Sequence, residues 1–453
     1  MKKLAILGGE PIIKGENPEI VKEMLTWPII TKEDEEAVLD VVRNNKFSET
    51  KITQEFEKEF AQWIGADYAV AYTSGTMSLA AALFAAGLGK GDEIICPTVT
   101  YWASITAAAG LGAIPVFCNV KEDMSIDPDD LERVISPKTK AIMVVHYCAY
   151  PADMDRIMEI AKKHNLLVIE DVSHAQGGLY KGKRLGTIGD IAGMSLMSQK
   201  SFAAGELGIV VTNNRRMYER ALAYGHYERN NENYITECED LKPYFNISIG
   251  GVKGRPNQVS TAMARVQLKY YDERCEEIRK AMNYFWDLLE GKPGVRPIRV
   301  DESTGSNMAG YYASKGLYIA EELHGLPINV FIDALNAELG GNQKWPLFAH
   351  GANYCLHTHN LFKTFDLINS GEPSRTYGAE RDVRKLDEAL KLSEERRKNV
   401  FAVPYLVKYN KEWIEKFAQA VINVIENHMD LVENYKLNEE DAGGQWFGRV
   451  NRS

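Results

Sequence analysis

Short apolar runs alternate with segments of helical period from about Asp67 to about Thr212. The runs Tyr68–Tyr72, Glu93–Cys96, Ile114–Phe117, Ala141–His146, Leu166–Ile169, Ile191–Leu196 and Ile209–Thr212 have the length and residue types of buried strands. Between them the apolar positions form stripes: in Asp153–Lys163, Met154, Ile157, Met158 and Ala161 fall at i, i+3, i+4 and i+7. Alternating strands and helices predict an α/β fold, a mostly parallel seven-stranded sheet between helices. Such sheets bind ligands at the carboxyl ends of their strands, so chemistry is expected just after the apolar runs.

After about Asn257 the pattern changes. One long helix is predicted from Val259 through Leu289, ended by the Gly291–Pro293 turn, with loops around Asp301–Asn307 and Gly340–Gln343 beyond it. Arg381–Arg397 is laced with charge and reads as a solvated helix. Asn410 reads as the N-cap of a helix carrying Ile414, Phe417, Ala418, Val421 and Ile425 on one face. The expected organisation is an N-terminal arm (1–30), a large α/β domain (31–258), and a connecting helix with a smaller C-terminal α+β domain (259–435). A polar, mobile tail (436–453) follows, carrying Trp446 and Phe447.

Charge narrows the function classes. Lys and Arg total 53 against 63 Asp and Glu, a net charge of -10, and no basic block is present. Phosphate neutralisation dominates nucleic-acid affinity, so a nucleic-acid partner is not expected. Six scattered cysteines argue against a disulfide framework and a zinc ribbon, and suggest a reducing cytosol. The apolar stretch Leu4–Leu7 is too short for a signal h-region, and no run approaches the roughly 18 apolar residues of a membrane span. A cytoplasmic protein acting on small molecules is expected.

Two motifs read as structural. Gly87-Leu88-Gly89-Lys90-Gly91 follows a predicted helix (Met77–Ala86) and precedes a strand, the reverse of a dinucleotide loop. Cys355, His357 and His359 alternate, but match no familiar metal spacing, so a substrate-facing loop or plain surface is expected and no metal site. Three other segments carry chemistry. Thr73-Ser74-Gly75-Thr76 opens an Ala-rich helix directly after a strand; it can be a plain N-cap, or can offer free amides to a phosphate. Glu170-Asp171 sits at the carboxyl end of an apolar strand, either as a helix cap or as a carboxylate holding a proton on a heterocycle nitrogen. Lys200 lies in a small, uncharged loop between two strands, where a desolvated, neutral amine could attack a carbonyl.

Together these supply an anion cradle, an acid for a ring nitrogen and an amine for an aldehyde, the binding kit for pyridoxal phosphate. With Val168-Ile169-Glu170-Asp171-Val172-Ser173-His174-Ala175 and Met194-Ser195-Leu196-Met197-Ser198-Gln199-Lys200, the sequence resembles the DegT-type sugar aminotransferases, a branch of the fold-type I PLP enzymes. Gly8-Gly9-Glu10-Pro11 and Trp27-Pro28 are similar to the subgroup that aminates cyclitol ketones.

The resemblance implies that Lys200 condenses with the cofactor aldehyde and that Asp171 pairs with its ring nitrogen. It places His174 at the phenolic oxygen, Gly75, Thr76 and Ser195 at the phosphate, and Tyr101 (or Trp102) against the ring. Lys253 matches a phosphate ligand donated by the neighbouring subunit, so a homodimer with shared active sites is implied. The implied activity is transfer of an amino group from glutamine or glutamate to a ketone of a cyclitol, or alternatively of a nucleotide-linked keto-sugar. Dehydratases of the same family carry His where this chain has Lys200, and retention of Lys200, Asp171 and Ser195 argues against a non-catalytic relative. Leu207, Met194 and Asn119 depart from the family pattern (Gly-Glu-Gly-Gly, Phe-Ser and Asp, respectively).

Overall fold

The computed structural model describes residues 3–14, 19–340, 347–366 and 382–434. All seven apolar runs are strands of one sheet: β1 (Tyr68–Tyr72), β2 (Glu93–Pro97), β3 (Ile114–Cys118), β4 (Thr139–Val145), β5 (Leu167–Asp171), β6 (Ile191–Ser195) and β7 (Gly208–Thr212). Their order is β1-β7-β6-β5-β4-β2-β3. Only β7 is reversed, pairing antiparallel with both β1 and β6. Every residue of β2, β3 and β7 is buried, as a sheet covered on both faces requires. β5 runs on to Asp171, so the acidic pair lies within the strand end and not in a following turn.

Helix α1 (Gly75–Ala85) begins two residues earlier than its apolar pattern shows, because small residues form its first turn. Helix α2 (Met154–His164) is capped by Asp153, which accepts from the Arg156 amide. The Gly87–Gly91 segment is the turn from α1 to β2, where Asp92 accepts from the Gly89 amide at 2.9 Å.

Helix α3 (Gln258–Asp287) leads to a second sheet, antiparallel throughout, ordered β8 (Val295–Pro297), β9 (Lys315–Tyr318), β11 (Val400–Ala402), β10 (Ala349–His350). Its core takes Phe285 and Trp286 from α3, Phe331 and Phe401, and the predicted face of α4 (Lys411–Glu426), which Asn410 caps through the Trp413 amide. Leu4, Ile13, Val21 and Met24 enter the same core, so the expected arm is packed structure.

The expected solvated helix over Arg381–Arg397 is corrected. Arg381 lies outside the described residues; Val383–Leu390 is a 3-10 turn series and Lys391–Lys398 an α-helix. Ser393 is buried, donating to Asn119 Oδ1 (2.7 Å) and accepting from the Val120 amide (2.9 Å). One small inward-facing serine is invisible among the flanking charges. The loop expected at Gly340–Gln343 lies outside the described residues beyond Gly340, as do Trp446, Phe447 and the rest of the tail. No helix among the described residues is long and apolar enough to cross a membrane.

Candidate active site

The carboxyl ends of β1, β5 and β6 lie along one edge of the sheet. At the end of β1, Ser74 accepts from the Met77 amide at 3.2 Å and so caps α1. The first-turn amides of Gly75 and Thr76 have no acceptor within the helix and sit at its positive end. A Cβ on Gly75 would lie 2.3 Å from the Ser195 Cβ, so only glycine lets α1 start hard against the end of β6. Gly75, Thr76 and Ser195 are thereby brought together. Ser195 is fixed by its own amide, which donates to Ser173 Oγ at 2.9 Å.

Glu170 and Asp171 point to opposite faces, as neighbours in a strand must. Glu170 is fully buried and accepts from His146 Nε2 (3.0 Å) and from the amides of Gly186, Ile188 and Gly189. Burial alone would raise its carboxyl, but His146 and the loop amides outweigh this and hold it below the ordinary value. Glu170 is therefore a structural acid. Asp171 faces the site: Oδ2 accepts from Ser104 Oγ at 2.7 Å and Oδ1 from the Ser173 amide at 3.0 Å.

Lys200 is 9% exposed, and its Nζ stands 3.5 Å from Tyr312 Oη and 4.5 Å from the Tyr312 ring centroid. Desolvation brings the amine down to about 8, against the opposing pull of the Asp171 carboxylate and the Cys148 thiol. Its loop is clamped on both sides. Trp27 Nε1 donates to the Lys200 carbonyl at 2.8 Å, while Ser201 donates to Gln176 Oε1 at 2.8 Å and accepts from Tyr271 Oη at 2.9 Å.

His174 Nδ1 accepts from the Cys148 amide at 3.3 Å, which leaves the ring proton on Nε2. Burial, reinforced by the charges of Lys200 and Lys315, pushes its titration well below the ordinary value, so the imidazole is neutral. The His174 ring lies 4.7 Å from that of Tyr312. Tyr101 is 40% exposed and packs at 5.1 Å on Trp102. Trp102 also lines a cavity of about 270 Å³ with Thr106, Asn353, Leu356 and His359. Lys253 is exposed; the next residue, Gly254, accepts from the Thr73 amide at 2.9 Å, so this connection runs beside the strand end that opens the cradle.

The Cys355-His357-His359 motif holds structure. His357 bonds Thr98 Oγ1 at 2.6 Å and faces Glu394 at 3.3 Å, and His359 caps the Leu361 amide. No cluster of His, Cys, Asp and Glu suited to a metal occurs among the described residues. Sequence reasoning missed Ser104, Cys148 and Tyr312. They lie 67, 26 and 112 residues from the site residues they touch, with no local pattern to mark them.

Residues 28–318 match the model of the DegT/DnrJ/EryC1/StrS aminotransferase family. The L-glutamine:2-deoxy-scyllo-inosose aminotransferase of Streptomyces kanamyceticus is 31% identical over 352 residues, 75% of this chain and 79% of that protein. GDP-perosamine synthase of Escherichia coli O157:H7 is 41% identical over 199 residues, 44% of this chain and 55% of the relative, so the chain spans little more than half of that protein. The solved aminotransferase from Psychrobacter cryohalolentis superposes with a TM-score of 0.73 at 27% identity, covering 89% of this chain and 99% of that one. The chain belongs to the DegT/DnrJ/EryC1/StrS aminotransferase family and has the fold of the type I PLP enzymes, and the cofactor of its family is pyridoxal 5'-phosphate.

Proposed function

We propose that this protein moves an amino group from glutamine or glutamate to a ketone carbon of a cyclitol. The amino transfer is carried by the desolvated Lys200 amine, brought down to about 8 with the Asp171 carboxylate bearing on it, and the cyclitol is supported by the 31% identity to the 2-deoxy-scyllo-inosose aminotransferase. The residues present fit the cofactor. The free Gly75 and Thr76 amides and Ser195 form a cradle that leaves no room for a Cβ at position 75, and free amides at a helix start suit a phosphate. When bound, pyridoxal phosphate supplies an aldehyde that takes and returns the amino group, and a ring that accepts the electron pair freed at the donor carbon.

The chain's own residues then have separable tasks. Lys200 Nζ, of which burial leaves a far larger fraction neutral near pH 7 than in an ordinary lysine, would hold the aldehyde carbon and, once released by the donor, would move the proton between the two reacting carbons. Asp171, oriented by Ser104 and the Ser173 amide, holds a proton on the ring nitrogen. His174 donates from Nε2 to the phenolic oxygen, its tautomer set by the Cys148 amide. Tyr101 or Trp102 packs on the ring, and Lys253 reaches the phosphate of the partner subunit in a homodimer. The six cysteines, all buried and unpaired, support a cytoplasmic setting.

A nucleotide-linked keto-sugar is the second reading, favoured by the 41% identity to GDP-perosamine synthase. Borohydride reduction of the holoenzyme followed by peptide mapping tests the assignment of Lys200; label on any other lysine overturns it. Amination of 2-deoxy-scyllo-inosose with glutamine as donor is expected to exceed that of a GDP-linked keto-hexose. The reverse ranking overturns the cyclitol reading in favour of the sugar nucleotide.

A further inference from the structure

Lys315 is the first residue of β9 and is 8% exposed. Along this strand the two faces are well separated. Ser314 accepts from Trp286 Nε1, a Cβ on Gly316 would lie 2.6 Å from the Trp286 ring, and Tyr318 packs in the same core. Lys315 and Leu317 are on the opposite face, and Ala313 and Leu317 pack on the cluster that holds Tyr147 and Cys148. That cluster borders the reaction centre, because the Cys148 amide is the group bonded to His174. The charges of Lys200 and Lys315 both bear on Cys148 and on His174, so both lysines lie near that pair.

Among the described residues, the Lys315 side chain has no hydrogen-bond or ion-pair partner, although it is almost wholly buried. Burial pulls its titration below that of an ordinary lysine, and the group that opposes this is the Cys148 thiol, not a carboxylate. A cation taken out of water without a counter-charge costs several kcal/mol, and folds keep such groups where a ligand supplies the missing charge. It is not needed to hold β9, whose ladder with Ala402 and whose Lys315 carbonyl, bonded to the Ile298 amide, are main-chain interactions.

We propose that Lys315 is the anion anchor of the reaction pocket: its ammonium takes a carboxylate or phosphate oxygen of one of the two substrates and so orients the reacting carbon toward Lys200. This rests on the reading of the Lys200 pocket as the reaction centre. The anion can be the carboxylate of the amino donor or the phosphate of a nucleotide-linked ketone; the chemistry of recognition is shared, and the two substrates are separable because they react in different half-cycles.

The test uses the holoenzyme and the substitutions Lys315→Gln, Lys315→Met and Lys315→Arg. Single-turnover bleaching of the cofactor band by L-glutamate and by L-glutamine reads the donor arm, and calorimetric binding of GDP to the aminated enzyme reads the ketone arm. One arm is expected to weaken by about tenfold or more in Lys315→Gln and Lys315→Met, as loss of a charge-assisted hydrogen bond requires, with the limiting rate changed far less. Lys315→Arg is expected to restore that arm to within about threefold, and the other arm to stay unchanged. Weakening of L-glutamate and L-glutamine capture assigns the donor carboxylate; weakening of GDP assigns the ketone's phosphate. Unchanged binding in both arms overturns the proposal. Equal loss in both without rescue by Arg also overturns it, since that is the result of a merely structural lysine. Borohydride label that misses Lys200 in wild type is a different failure, that of the underlying reading.

Discussion

The amine of Lys200 is held down at about 8 by burial, more than two units below an ordinary lysine. Because only the neutral amine attacks, capture of pyridoxal phosphate by the apoenzyme is expected to rise as pH increases through about 8 and to level off above it. Stopped-flow absorbance of cofactor binding across pH checks this; a rise still continuing above pH 10 would mean an ordinary, solvated lysine. The adjacent acids Glu170 and Asp171 offer a matched contrast. Asp171→Asn is expected to keep the melting temperature within a few degrees yet lower turnover roughly 100-fold or more, since the amide cannot hold a charged ring nitrogen. Glu170→Ala leaves three loop amides without an acceptor and is expected to cost roughly 3 kcal/mol or more of stability, read by denaturant unfolding. Spacing alone identified the pair as important but did not assign the roles. What separates them is the face each takes and the partners it meets, His146 for one and Ser104 for the other.

Among the elements, the seven strands of the large sheet were legible because each is an apolar run ended by small or polar residues, and burial on both faces leaves no alternation to misread. The start of α1 was legible as a cap but not as a contact: only the fold shows Gly75 pressed on Ser195. Gly75→Ala is expected to cost roughly 1–3 kcal/mol by overpacking and to weaken cofactor retention at least about tenfold, measured by dialysis and visible absorbance. An unchanged affinity would remove the cradle from the phosphate assignment. The departures from the family pattern also become packing choices at this scale. Met194 and Leu207 are fully buried in the core under β6 and β7, and Asn119 secures Ser393. Tyr312 and Lys315 were not legible, because what makes each of them notable is a neighbour more than a hundred residues away in the chain.

At the scale of the whole molecule, Lys253 can be tested without knowing the ketone. If it serves the opposite subunit, mixing inactive Lys200→Ala with weakened Lys253→Ala should restore partial activity, since each heterodimer then holds one site with both lysines intact. Subunit exchange without recovery would place Lys253 in its own chain's site or in neither. The enclosure of Lys200 also has a bearing on when the protein becomes chemically competent. Its carbonyl is tied to Trp27, its amine is covered by Tyr312, and Trp27 in turn packs on Tyr405, so the wall around one side chain is drawn from nearly the full length of the chain. A nascent or half-folded chain carries at position 200 a solvated lysine, protonated and unreactive at neutral pH. The amine acquires its reactivity only when the last of these walls closes, so an aldehyde cofactor is captured by finished molecules in preference to folding ones, and cofactor colour reports completed folding.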